Sequence, residues 1–344
     1  MAQYTRLGGE SAIQRTPAAR LTLQPVVART EYTHMPWRER EAAPVEQRRF
    51  EDAVAELKAI RRAVLLGEPG SGKTTTLYKL AADLIDAALL DETQPIPVMV
   101  RLGGWTDAAE PFAAFLQRSV GELAENWDER LSQKRIALLL DGINEIPAGQ
   151  QVAKYGQVRQ FLAQHPGLMA LVSCREQDYP PDRDLALDRV VVAPLDPVRI
   201  YQFVHNYLDA EYGAQAGDDL FWQLAGEKAA ETYRRFNEAL GDKLADPFAA
   251  FWLAQTLPDD LMWGWEYEGY ENRDWEAWLK QRAHPASLLL LAANPYMLFM
   301  LVDVYQAYDQ TLPANRGQLF DWFTSTLLRR ERVQGWSGML CCAA

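Results

Sequence analysis

The chain has 344 residues, of which 48% are hydrophobic and 24% charged, and its formal net charge is −12 at pH 7. That length is enough for two domains with real cores, and that composition excludes wholesale disorder. The acidic balance argues against a broad nucleic-acid surface, so nucleic acid is not an expected partner. There are three cysteines, Cys174 inside an apolar run and Cys341 and Cys342 at the terminus. They offer neither a disulfide framework nor metal-ligand spacing and suit a reducing compartment.

In chain order, Met1-Ala-Gln-Tyr-Thr-Arg6 has no apolar core and does not read as a signal peptide. Residues 1–45 read as an extended arm punctuated by Thr16-Pro17, Met35-Pro36 and Ala43-Pro44, with Leu21–Val27 its one plausible strand. Phe50, Val54, Leu57 and Ile60 then recur at helical spacing. Ala63–Leu66 reads as a buried strand, and Gly67, Glu68, Pro69, Gly70, Ser71, Gly72, Lys73 and Thr74 fit the phosphate-loop pattern G-x-x-x-x-G-K-[ST]. In such a loop Gly67, Gly70 and Gly72 let the backbone turn tightly so that N–H groups face phosphate oxygens. Lys73 brings positive charge to the β/γ-phosphates, and the Thr74 hydroxyl is placed to bind Mg²⁺. From Thr75 the apolar spacing of Leu77, Leu80, Ala81, Leu84, Ile85 and Ala88 predicts a helix whose positive dipole end faces the phosphates. The stretch predicts a nucleotide-binding protein.

Four further strands are predicted at Ile96–Leu102, Ile136–Leu140, Leu168–Ser173 and Val190–Ala193. Helical patterns alternate with them, one through Phe112, Phe115, Leu116 and Leu123, another through Val152, Tyr155, Phe161 and Leu162. Alternation of near-continuous apolar strands with helices means a parallel sheet covered on both faces, so 46–195 is an α/β nucleotide-binding domain. After Pro194 the period changes, and 196–335 reads as an all-helical domain followed by a tail at 336–344. Asp196-Pro197 and Asn294-Pro295 each pair an N-cap with a proline at the first helical position, and Asn315 can cap a last helix. Between them, 210–285 is an insertion mixing acids with aromatics, densest at Trp263–Trp275. A helical segment with inward tryptophans is preferred there to a partner groove or methyl-lysine cage.

The longest apolar run, Ser287–Val304, is broken by Asn294-Pro295 and Asp303 and reads as a buried helix pair, not a membrane span. Cys341-Cys-Ala-Ala344 superficially fits a prenylation box, but Cys342 fills an aliphatic slot and no polybasic run precedes it. The expectation is a cytoplasmic protein with no membrane partner.

The strand ending Leu140 runs into Asp141-Gly-Ile-Asn-Glu145. An acid at the tip of a buried strand in a phosphate-loop protein supplies a second Mg²⁺ contact, the role expected of Asp141. Glu145, four residues on, is suited to orient a water for attack on the γ-phosphorus. The next strand ends Ser173-Cys-Arg175, a hydroxyl and a planar, always-charged guanidinium suited to sense the γ-phosphate. No Asn-Lys-x-Asp guanine-reading motif occurs, which favours ATP over GTP.

Three stretches together, Gly67–Thr74, Leu138-Leu-Leu-Asp-Gly-Ile-Asn-Glu145 and Ser173-Cys-Arg175, resemble the NACHT class of signal-transduction ATPases. The small residue after Asp141, with acids expected two and three places beyond it, is distinctive of that class. Asn294-Pro-Tyr-Met-Leu298 through Phe320 is similar to the segment that follows the NACHT sheet, so the likeness spans about 46–332. It implies a five-stranded sheet in which the strand ending at Ser173, the sensor strand, lies between the phosphate-loop strand and the strand that runs into Asp141, the Walker B strand, which puts Ser173 and Arg175 beside the γ-phosphate. It also implies that Pro295 packs on the adenine, that ATP/ADP and Mg are bound, and that hydrolysis alters the angle between domains to license self-association or a partner protein. In this class the ATPase is a slow switch, and the expectation is a bacterial member of it that serves defence signalling.

Two departures stand out. Asn144 occupies a position often filled by aspartate in animal relatives, which touches the hydrolysis rate rather than binding. The winged-helix domain that usually follows, with its phosphate-contacting histidine, has no counterpart among His34, His165, His205 and His284. The sequence therefore reads as a fragment or as a minimal core. Two other functions remain open at this point: a scaffold that holds nucleotide without hydrolysing it, and an AAA-type ATPase acting on a macromolecular substrate.

Overall fold

The computed structural model describes residues 5–14, 45–213, 215–253 and 288–341. They group into two compact units, one of Gly9–Glu68 with Leu80–Val192, the other of Met1–Gly8, Pro69–Lys79 and Ala193–Ala344.

The first unit is built on a seven-stranded sheet. Its strands are β1 (Gly9–Gln14), β2 (Val45–Phe50), β3 (Arg62–Gly67), β4 (Ile96–Arg101), β5 (Ile136–Asp141), β6 (Met169–Arg175) and β7 (Asp188–Val192), in the order β2-β1-β7-β3-β6-β5-β4. The five strands β7, β3, β6, β5 and β4 are all parallel, with β6 between β3 and β5 as expected. Every residue of β5 is buried, as are Ala63–Gly67 of β3 and Met169–Cys174 of β6. Continuous burial explains why these strands carry no polar alternation: each covered Leu or Val side chain contributes about 1.5–3 kcal/mol.

The expected count of five strands is corrected to seven, because β1 pairs antiparallel with β7 and β2 antiparallel with β1. Gly9-Glu-Ser-Ala-Ile-Gln14 has little intrinsic strand preference, so its pairing is a tertiary effect. Gly9 is obligatory there, since a Cβ would fall 1.9 Å from the Val191 carbonyl oxygen. The strand expected at Leu21–Val27 lies outside the described residues.

The helix expected from Phe50 is α1 (Ala53–Ile60). Phe50 itself closes β2, and the Asp52 carboxylate starts the helix by accepting from the N–H groups of Val54 and Ala55 at 2.9 and 3.2 Å. Helix α2 (Lys73–Leu90) begins two residues before the expected Thr75. Helices α3 (Phe112–Ser119), α4 (Trp127–Ser132) and α5 (Gln151–Gln164) follow. Arg62, the first residue of β3, donates to the carbonyls of Leu162, His165 and Leu168, each at 2.9 Å. One guanidinium thus ties the last turn of α5 to the loop that leads into β6 and complements the helix dipole. On the same helix the buried Lys154 ammonium donates to the Trp105 carbonyl and lies 4.4 Å from that indole's centroid.

The second unit is helical, with no strand among its described residues. It contains α6 (Pro197–Tyr212), α7 (Gln215–Ala225), α8 (Glu227–Leu240) and α9 (Pro247–Leu253), then helices Leu288–Ala292, Pro295–Ala307 and Arg316–Cys341. Asp196 caps α6 by accepting from the Arg199 N–H at 2.8 Å, and Asn294 caps Pro295–Ala307 by accepting from the N–H groups of Tyr296 and Met297 at 3.0 and 3.3 Å. Phe221, Phe251 and Trp252, all fully buried, knit α7 to α9. The segment Trp263–Trp275 lies outside the described residues. No described helix is long and apolar enough to cross a membrane.

Candidate nucleotide site

β3 ends at Gly67, and the chain turns through Glu68–Gly72 into α2. Gly70 and Gly72 have φ of +78° and +88°, a left-handed backbone that favours glycine. Gly67 does not join them: it is the last residue of β3, in register with Arg175 of β6. The turn is therefore made by two glycines rather than the three expected. A Cβ on Gly72 would also meet the Leu7 side chain at 2.8 Å. The Ser71 hydroxyl, on a buried residue, accepts from the Lys73 ammonium at 3.3 Å. Thr76 continues the helix by donating its N–H to the Gly72 carbonyl at 2.8 Å.

Within this second unit lies a cavity of about 390 Å³, a size typical of small-molecule sites. Gly70, Gly72, Lys73, Thr74 and Thr75 line one part of it. Leu195, Phe203, Tyr207, Pro295, Tyr296 and Phe299 line another. Lys73 is the only charged side chain among the described lining residues. Phe203 and Tyr207 stack at 4.6 Å between centroids, and burial raises the pKa of the Tyr207 phenol above its ordinary value, so that it stays neutral. One cavity thus joins a cationic, backbone-rich end to an apolar, aromatic end. Phosphate suits the first and a planar base the second.

Of the predicted residues, Gly70, Gly72, Lys73, Thr74, Thr75 and Pro295 meet at this cavity. Glu68 and Pro69 are exposed and do not line it, although the Pro69 carbonyl accepts from the Asn294 amide at 2.8 Å. Sequence reasoning missed Thr5 and Leu7, which also line it. Thr5 is 9% exposed and its hydroxyl has no hydrogen-bond partner among the described residues, an arrangement that is costly unless something else supplies one. Phe299 was missed, and Phe203 and Tyr207 were legible only as part of an apolar helix face. Their periodicity says that they are buried, not what they face.

Asp141, Glu145, Ser173 and Arg175 belong to the first unit, at the carboxyl ends of β5 and β6. The Ser173 hydroxyl donates to the Asp141 carboxylate at 2.6 Å and accepts from the Gly142 N–H at 2.8 Å, all three residues being buried. Gly142 sits at φ +74°, and a Cβ there would meet the Glu145 carboxyl carbon at 2.8 Å. The Glu145 side chain accordingly folds over the backbone of Gly142 and lies equally close to Gly103, while Glu145 itself is exposed. Asn144 accepts from the Arg175 N–H at 3.2 Å, linking the two strand ends, and Arg175 is exposed. Sequence reasoning had assigned Ser173 to the phosphate. Its hydroxyl here is engaged with Asp141 and Gly142.

Comparison with known proteins agrees with this geometry. A family model, the NACHT domain, matches residues 61–211. No curated protein matches the chain. Among solved structures, C. elegans PCH-2 is similar at 14% identity and a TM-score of 0.27, over 81% of this chain and 67% of that one. The Aeropyrum pernix ORC1 protein, solved in complex with DNA, is similar at 17% identity and a TM-score of 0.28, over 79% of this chain and 76% of that one. Likenesses this remote say nothing about activity. The family match coincides with the segment running from β3 and the phosphate loop to α6, so that over residues 61–211 the chain is similar to the NACHT domain.

Proposed function

We propose that the chain binds Mg²⁺·ATP through its phosphate loop, hydrolyses it slowly, and uses the bound nucleotide as a switch. The observation that carries this reading is the single cavity shared by Lys73 and Thr74 with Pro295 and the aromatic wall. In this reading the loop N–H groups and the positive end of α2 hold the phosphates, and the Lys73 ammonium offsets their charge. Pro295, Phe203 and Tyr207 cover the base, and the Thr5 hydroxyl gains the polar partner that it otherwise lacks.

By resemblance to the class, Mg²⁺ accompanies the nucleotide. The Thr74 hydroxyl and the Asp141 carboxylate are hard oxygen donors, and the hydroxyl of Ser173 orients that carboxylate. When bound, the ion supplies charge stabilisation to the γ-phosphoryl group. The Glu145 carboxylate orients the attacking water, and the Arg175 guanidinium senses the γ-phosphate. The helix that carries Pro295 closes over the bound nucleotide, and nucleotide exchange alters engagement of a second copy or another protein. By family resemblance the signalling output is a bacterial defence response.

Single-turnover hydrolysis of Mg²⁺·ATP tests the catalytic part. Glu145→Gln should slow it by about 10²-fold or more, as expected for loss of a general base, while leaving nucleotide affinity within about threefold. An unchanged rate removes Glu145 from the mechanism. One observation favours a second reading, a nucleotide-holding scaffold: the class's second acid is replaced by Asn144, whose side-chain oxygen is engaged with the Arg175 N–H. Firm ATP binding with hydrolysis at background selects that reading.

A further inference from the structure

The geometry points to Asn294 as a positioning residue that ties the phosphate loop to helix Pro295–Ala307 and sets how long nucleotide stays bound. This rests on the nucleotide reading above and adds a residue to it. Capping alone needs only a side-chain oxygen, so Ser, Thr or Asp would serve as well as Asn. Asn294 uses both ends of its amide. Its oxygen accepts from the Tyr296 and Met297 N–H groups at 3.0 and 3.3 Å, while its nitrogen donates to the Pro69 carbonyl at 2.8 Å. The Tyr296 N–H is shared with the Gly70 carbonyl at 3.2 Å. Two consecutive loop carbonyls are therefore held by the first turn of the helix that presents Pro295, Tyr296 and Phe299 to the cavity. The approach is close: a Cβ on Gly70 would lie 2.7 Å from the Asn294 oxygen.

The consequence follows from the planarity of the peptide. No cis peptide bond occurs among the described residues, and in a trans peptide C=O and N–H point in opposite directions. Holding the carbonyls of Pro69 and Gly70 toward the helix turns the N–H groups of Gly70 and Ser71 away from it and stops them rotating. Donors preset in this way cost no reorganisation when an anion arrives, and their loss appears mainly as faster dissociation. Asn294 thereby makes retention of the phosphates depend on the helix that carries Pro295.

Asn294→Asp and Asn294→Ser separate the tie from the cap. Both keep an oxygen for Tyr296 and Met297; the Asp carboxylate has no proton to donate to Pro69, and the Ser hydroxyl, one bond shorter than the amide, does not reach it while capping. In the 344-residue chain, dissociation of a fluorescent ATP analogue should be about 5- to 10-fold faster in both variants, the loss expected for one net hydrogen bond. Association rate and nucleotide-free melting temperature should stay close to wild type. Without nucleotide, amide exchange of peptides covering 67–77 should be faster in both variants. Nucleotide kinetics within twofold of wild type, or unchanged exchange over 67–77, overturns the proposal. So does a melting temperature that falls in parallel with affinity, the signature of a structural cap alone. Lys73→Ala serves as the control: if it too leaves binding unchanged, the nucleotide reading is at fault, whereas loss of binding in Lys73→Ala beside silent Asn294 variants rejects only the tie.

Discussion

Ser173→Ala is the most informative single change in the first unit, because one hydroxyl serves two strand ends. It removes a 2.6 Å bond to the Asp141 carboxylate, which as a charge-assisted interaction contributes about 1.5–3 kcal/mol. It also deprives the buried Gly142 N–H, 2.8 Å away, of its acceptor, at about 1–3 kcal/mol. These effects share one atom and overlap, so a loss of about 3 kcal/mol is expected. For a domain of this size that lowers the melting temperature by about 6–12 °C. The assay is thermal unfolding followed by near-ultraviolet circular dichroism, with denaturant titration to check that the m-value is unchanged. Because Ser173 also orients a carboxylate assigned to Mg²⁺, the Mg²⁺ concentration for half-maximal ATP binding should rise several-fold. A melting temperature within about 2 °C of wild type, with unchanged cooperativity, would refute the hydroxyl as the link between β5 and β6.

Two other substitutions test separate parts of the account. Thr5→Val removes a hydroxyl that has no partner among the described residues, so the nucleotide-free chain should be as stable as wild type or more stable, by up to about 1 kcal/mol. Nucleotide affinity should fall about fivefold, and calorimetry of both states reads both effects. Lys154→Met addresses pH. Burial lowers the pKa of the Lys154 ammonium below its ordinary value of 10.5, so between the lowered value and 10.5 the unfolded chain binds the proton more readily. Stability in that window should rise with pH in the wild type relative to Lys154→Met, as read by denaturant titration across alkaline pH. A constant difference between the two proteins would contradict the assignment.

The local and the distant parts of this molecule differed in legibility for physical reasons. β3, β5 and β6 were readable because strands buried on both faces are written as unbroken apolar runs. The phosphate loop was readable because Gly70, Gly72, Lys73 and Thr74 must be contiguous to present one concave backbone. Asp141 and Ser173 were found at the strand ends, but their mutual hydrogen bond spans the crossover through α5 and leaves no local trace. β1 was invisible because its pairing with β7 supplies what Gly9-Glu-Ser-Ala-Ile-Gln14 lacks in propensity. Thr5 and Leu7 were missed for the same reason, having been assigned to a polar arm. Asn294 was recognised as a helix cap from its proline neighbour, whereas its amide bond to Pro69 crosses 225 positions.

The most direct test of the central claim is calorimetric titration of Mg²⁺·ATP into the wild-type chain and into Lys73→Ala. Lys73 is the only charged side chain among the described residues lining the cavity, so its removal should weaken binding about 100-fold or abolish it. Wild type should give a saturable isotherm with one site per chain. Equal titrations of the two proteins, or no binding to the wild type, would contradict the nucleotide site itself.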